Sequence, residues 1–203
     1  MQKGRDPRNM LSALFYEATG ELTKLMDGFY NNIEDGLFEL AYANADANQQ
    51  KRIVELMREL RFRREHLMGT FIKRVQRGTE DWLAQSDSPE YLEEQLQAEK
   101  IASRCSGHFG FLLQSIAERM AHAASRDADR DSLPISPEQI SYHFVMSCRN
   151  VEFDRDAVDV VQDLFHRFVL DRLGTIYGVM NQKLVDAGCP TVRELEDDTA
   201  SIA

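Results

Sequence analysis

Apolar residues recur at spacings of three and four along almost the whole chain, and no run of five or more residues alternates as a strand would. The pattern is clearest near the start. Leu11, Leu14, Phe15, Ala18, Leu22, Leu25, Met26, Phe29, Ile33, Leu37 and Leu40 fall on one face of a helix. Gly36 shares that face. Glycine inside a helix costs about 1 kcal/mol relative to alanine, so a close approach by another element is expected there.

Turn and cap signals divide the rest. Helices are expected over about 8–44, 47–85, 89–124, 137–149 and 155–187. Asp46 is placed to cap the second, and Ser88 followed by Pro89 to start the third. Ser136, Pro137 and Gln139 spell a capping box with proline in the first turn, and Asp154 or Asp156 opens the last helix. Gly188 followed by Pro190 is a stop signal. The third segment slips phase near Ile101, and Gly107 and Gly110 suggest a bend or a close crossing. Residues 125–135 read as a polar linker, and 194–203 as a frayed acidic tail. The expectation is an all-α fold: a single helical domain over 1–203, with about five helices in an antiparallel bundle of long hairpins.

Charge is distributed unevenly. Residues 51–77 hold nine Lys/Arg against three Glu, in a chain whose net charge is −10. On this helix Ile53, Leu56, Met57, Leu60, Leu67, Phe71 and Val75 form the apolar face, and Arg64 falls at its centre. A guanidinium stays charged, so Arg64 needs a carboxylate, an anionic ligand or a partner chain. Asp35 and Glu39 flank the apolar face of the first helix and are the expected partners for a buried ion pair, the alternative being that Arg64 reaches past the core edge with its aliphatic stem packed and its head in water. Arg52, Arg63 and Arg74 recur every eleven residues, with Arg77 close by, and could form an edge that binds phosphates of nucleic acid or of a cyclic nucleotide. Glu55, Glu59 and Glu65 interleave with them, so pairing with the acidic helices is the simpler reading. Arg58, Arg61, Phe62, Arg63 and Glu65 make a candidate protein interface on the outer flank, where Phe62 lies opposite the apolar face.

No reaction is spelled out by motif. The histidines His66, His108, His122, His143 and His166 form no H-E-x-x-H, and no Glu-x-x-His occurs. There is no G-x-S-x-G, phosphate loop or G-x-G-x-x-G. Cys105, Cys148 and Cys189 are odd in number and widely spaced, which suits reduced thiols in a cytoplasm. The N-terminus lacks the apolar core of a secretory signal, and no apolar run approaches the roughly 18 residues of a membrane span. Catalytic residues, cofactor and metal are each expected to be none.

Two blocks carry a resemblance. IEDGLFELA at 33–41 leads through an Asn/Gln-containing turn to MRELRFRRE at 57–65; LPISPEQI at 133–140 precedes IYGVMNQKLVDAGCP at 176–190. Together they resemble the bacterial DUF1631 family, proteins of unknown function that are mostly much longer. The resemblance implies a helical protein of the bacterial cytoplasm in a regulatory setting, here as a short member or a fragment, and it transfers no catalytic residue. The resulting expectation is a non-enzymatic protein-interaction or regulatory module with a protein partner. Self-association as a homodimer is expected too, because Phe62 and Ile72 lie off the main stripe.

Overall fold

The computed structural model describes residues 6–43, 46–86, 91–130, 132–153 and 155–200. Among them are eight α-helices and one 3-10 turn, and no strand. They are α1 (Pro7–Ala43), α2 (Ala47–Ala84), α3 (Leu92–Ala102), α4 (Ser106–Ala124), α5 (Pro137–Ser147), α6 (Arg155–Phe168), a 3-10 turn over Leu170–Arg172, α7 (Leu173–Asp186) and α8 (Val192–Ala200). The all-α expectation holds, with more helices than the five expected. The Ser88–Pro89 start signal, Asn44 and Asp154 lie outside the described residues.

The two longest helices form an antiparallel hairpin. Asp46 caps α2 by accepting from the Asn48 amide at 2.9 Å. Phe15 meets Trp82 edge-on at 5.7 Å, Asp27 pairs with Arg64, and Glu34 pairs with Arg61, so residue numbers run in opposite directions across the pair. The apolar stripes read from the sequence are the ones buried: Met26, Phe29 and Leu37 on α1, Ile53, Leu60, Phe71 and Val75 on α2. α5 and α6 close over that seam through an aromatic cluster. Phe144 stacks on Phe165 at 3.9 Å, and Phe29 presents an edge to each, at 5.5 and 5.8 Å. Gly36 does mark a close approach, since a Cβ there would stand 2.7 Å from Leu164 Cδ1 of α6.

Four boundaries differ from expectation. The third helix breaks at 103–105, ahead of both glycines, where Cys105 is fully buried and its thiol donates to the Ala102 carbonyl at 3.3 Å. The last long helix is interrupted by the 3-10 turn. The polar segment 125–135 is packed down: Leu133 and Ile135 are buried, Tyr177 donates its hydroxyl to the Ile135 carbonyl at 2.7 Å, and Arg126 lies over the Trp82 ring at 3.8 Å. The tail does not fray at Glu194, because α8 runs through it and Arg119 holds its carboxylate.

Phe165→Ala removes the ring shared by α1, α5 and α6. It should lower unfolding free energy by about 3–5 kcal/mol in urea denaturation, as large-to-small changes of buried aromatics do. A loss under about 1 kcal/mol would contradict the packing described.

Candidate functional site

Helix periodicity sorts the basic residues of α2 into two directions. Arg61, Arg58 and Glu65 lie within about 60° of one another around the helix axis, and Phe62 adjoins them. All four are exposed, Phe62 by 92%. Arg63 does not belong with them. It lies about 200° round from Arg61, turned toward the end of α5, where it donates to the Asn150 carbonyl at 2.8 Å and pairs with Glu59 at 3.1 Å. The candidate interface therefore loses Arg63.

It gains residues from α1. Arg61 bonds to Glu34 through two of its three guanidinium nitrogens, Nε and Nη2, which lowers the Glu34 carboxyl below its ordinary range and stitches the two helices along their outer edge. One turn toward the tip of the hairpin, Phe38 and Tyr42 stack on each other at 6.5 Å and are 59% and 85% exposed. Val54 of α2 is exposed on the same side. Phe38, Tyr42, Val54, Arg58 and Phe62 thus share one outer face. The signal for the α1 pair was present: two aromatics at i and i+4, each one residue beyond a position of the buried stripe, Leu37 and Ala41.

The expected anion edge is not one open surface. Arg52 and Arg77 are exposed, Arg77 beside Asp81 at 3.7 Å. Arg63 and Arg74 face α5 between them. Arg74 is half-buried, its Nε has no acceptor, and its charge acts on the buried His143 ring. Burial first, and Arg74 second, push the His143 imidazole down to about 4, so it packs neutral at the α2–α5 seam. A Cβ on Gly78 would come within 2.9 Å of His143 Nε2, which shows how tight that seam is.

Arg64 is neither deeply buried nor paired with Asp35 or Glu39. Its partner is Asp27 at 3.2 Å, it lies 5.9 Å from the centre of the Tyr30 ring, and both charged side chains are part-exposed. The reason is register. In an antiparallel hairpin, residues equally far from the turn face each other; Arg64 and Asp27 satisfy that about the turn near Asp46, whereas Asp35 and Glu39 sit about two and three turns closer to it. A part-exposed bridge of this kind contributes about 0–1 kcal/mol.

The buried cation is instead Arg119, which the sequence reading passed over. Its side chain is 8% exposed and reaches Asn181 at 3.0 Å, the Cys189 carbonyl at 2.6 Å and the Glu194 carboxylate at 2.7 Å. Those bonds, with one from the Thr191 amide, hold Glu194 down to about 2. The test applied to Arg64 would have found it, since Arg119 stands among Ile116, Ala117 and Met120 in the pattern. The arrangement is a clamp of α4 on α7 and α8.

Chemistry elsewhere is muted. Burial pushes the Cys105 thiol up to about 12 and the Cys148 thiol up to about 11, and it raises Cys189 as well, so all three free thiols are weak nucleophiles. Among the described residues no three His, Cys, Asp or Glu side chains converge as metal ligands, and no helix is long and apolar enough to cross a membrane. A hollow of about 1180 Å³ runs along α1 beside α7 and is lined by Leu14, Ala18, Leu25, Ile176, Val179 and Met180. It is separate from the outer face of the hairpin.

The family model described as Protein of unknown function (DUF1631) N-terminal domain matches residues 6–188. The chain belongs to the DUF1631 family. No curated protein and no solved structure matches it.

Two pH effects follow from the shifted groups. Glu194 is depressed in the folded chain from 4.5 to about 2, so its contribution is present above 4.5 and is lost as pH falls toward 2. His143 is depressed from 6.5 to about 4, so between those values the unfolded chain holds a proton that the folded chain refuses, and stability falls as pH drops through that window. Urea midpoints measured from pH 7 to pH 4 should decline, and His143→Phe should flatten the decline. Glu194→Gln should flatten only the loss below 4.5. Arg64→Ala, measured at pH 7, should cost about 1 kcal/mol or less.

Proposed function

We propose that this protein is a non-enzymatic interaction module of the bacterial cytoplasm, acting in a regulatory setting, that receives a protein partner on the outer face of the α1–α2 hairpin. The finer architecture that goes with this reading is an antiparallel bundle whose long hairpin presents one helix face to the partner. The observation that carries it is the exposure of Phe38, Tyr42, Val54 and Phe62 on a single face beside Arg58 and Arg61. Aromatic residues and arginine are the types that dominate interface energies, and isolated exposed hydrophobics are commoner than a contiguous set. Weakly reactive thiols and an Arg119 clamp committed to packing are consistent with a binding role. So is the use of Arg61, Arg63, Arg64 and Arg77 in intramolecular pairs rather than as an open phosphate edge.

Replacing Phe38 and Phe62 with serine tests it. The double variant should stay within about 1 kcal/mol of wild-type stability, each change being at an exposed position. It should also lose the partner proteins that wild type retains in affinity purification from its host. Retention of the same partners by the variant overturns the reading. Binding of nucleic acid or nucleotide that ignores both serines, collapses with added salt and fails on changing Arg52 and Arg77 overturns it in favour of an anionic ligand.

A further inference from the structure

The outer face of the hairpin carries a charge pattern that fits itself. From Leu25 to Ala43, α1 has four acids (Asp27, Glu34, Asp35 and Glu39) and no base. The facing stretch of α2 presents Lys51, Arg58 and Arg61, with Glu55 and Glu65 among them. Internal bridges engage Asp27 with Arg64, Glu34 with Arg61, and Lys51 with Glu55. What stays exposed outside these bridges is Asp35 at the middle of the α1 face, Glu39 at its flank, Arg58 at the middle of the α2 face and Glu65 two turns further from the tip.

Their heights match. Arg61 stands level with Glu34, so Arg58, one turn toward the tip, stands level with Leu37, between Asp35 and Glu39. A two-fold axis parallel to the hairpin, lying just above its outer face, carries α1 of one copy over α2 of the other without changing height. Each Arg58 then meets Asp35 and Glu39 of the second copy, twice over by symmetry. The same operation sets Phe38 and Tyr42 of each copy over Val54 and the Arg58 guanidinium of the other. Apolar surface and an aromatic–cation contact come together there. Glu65, two turns from Arg58, falls at the rim of this contact.

We propose that the partner on this face is a second copy of the chain, in a two-fold dimer built by Arg58 of each copy against Asp35 and Glu39 of the other, around Phe38 and Tyr42. The proposal rests on the reading of the outer face as a docking surface and names its occupant. Charge reversal can separate the two. Arg58→Glu makes both symmetric contacts repulsive in a dimer of that variant, and Asp35→Lys with Glu39→Lys does the same from the other side. A mixture of the two variants restores attraction at both contacts at once.

Light scattering after size exclusion, over a concentration series of the full chain, reads this directly. Wild type should run at twice the chain mass. Each charge variant should run as a monomer, its dimer weakened at least about tenfold, with an unchanged helical circular dichroism spectrum. Their equimolar mixture should recover the dimer. A wild type that stays monomeric at high micromolar concentration overturns the proposal. So does a dimer that survives both charge variants, because it must use another face. If wild type is monomeric yet Phe38→Ser with Phe62→Ser still abolishes capture of a different protein, the docking surface stands and only the second copy is removed.

Discussion

The register of α1 against α2 is the constraint on which the remaining packing depends. Each helix is about 55 Å long, and their buried stripes interlock from Phe15 beside Trp82 to Glu34 beside Arg61. Burying each large apolar side chain contributes about 1.5–3 kcal/mol, so the interlocked stripes far outweigh the part-exposed ion pairs along the edge. Those pairs follow the register rather than set it. With it fixed, Phe29 and Gly36 stand where α5 and α6 can dock, one offering a ring edge and the other the absence of a side chain. A slip of one turn would carry Gly36 away from Leu164 and put a side chain in its place.

The basic stretch of α2 is explained by the same geometry. One flank of the helix looks along α1, whose C-terminal half is wholly acidic, and the other looks at α5. Arg61 and Arg64 answer the first, while Arg63 and Arg74 meet the second. Arginine suits both tasks, because its long stem packs along apolar surface while its planar head reaches a carboxylate or carbonyl. Part of the excess positive charge is thus absorbed within the molecule, while Arg52, Lys73 and, at the middle of the outward direction, Arg58 remain on the surface.

Much of this was legible in the sequence, and the misses have specific causes. The α1 and α2 stripes, the Asp46 and Ser136 caps, the Gly188 stop and the close approach at Gly36 follow from periodicity and local chemistry. The interruption after Phe168 was not readable, since Phe165, Val169, Leu173, Ile176 and Met180 stay in phase across the 3-10 turn. Polar composition hid Leu133 and Ile135, two buried residues in a stretch dominated by Asp, Ser and Arg. Acidic composition likewise hid the Glu194 clamp, whose partner lies far away in the chain. The partner of Arg64 was recoverable by counting equally from the turn. At the site, Phe62, Arg58 and Arg61 were visible as residues off the stripe, but Phe38 and Tyr42 needed the α1 face to be read for what it leaves outside.

Other exposed hydrophobics set a useful contrast with that face. Phe111 stands alone on α4, and Leu92 and Leu96 form a pair on α3 whose neighbour Tyr91 has Arg149 5.0 Å over its ring. Single exposed side chains are normal for a folded surface, since there is too little polar surface to cover one completely. The hairpin face differs because its aromatics lie on two helices locked together by Arg61 and Glu34, so ordering them on binding costs little further entropy. It also places an unengaged guanidinium beside those rings and unengaged carboxylates at the same height on the adjacent helix. An apolar patch by itself gives adhesion without orientation. Fixed charges of both signs at matched heights supply orientation, and that complementarity is what the proposed two-fold dimer relies on.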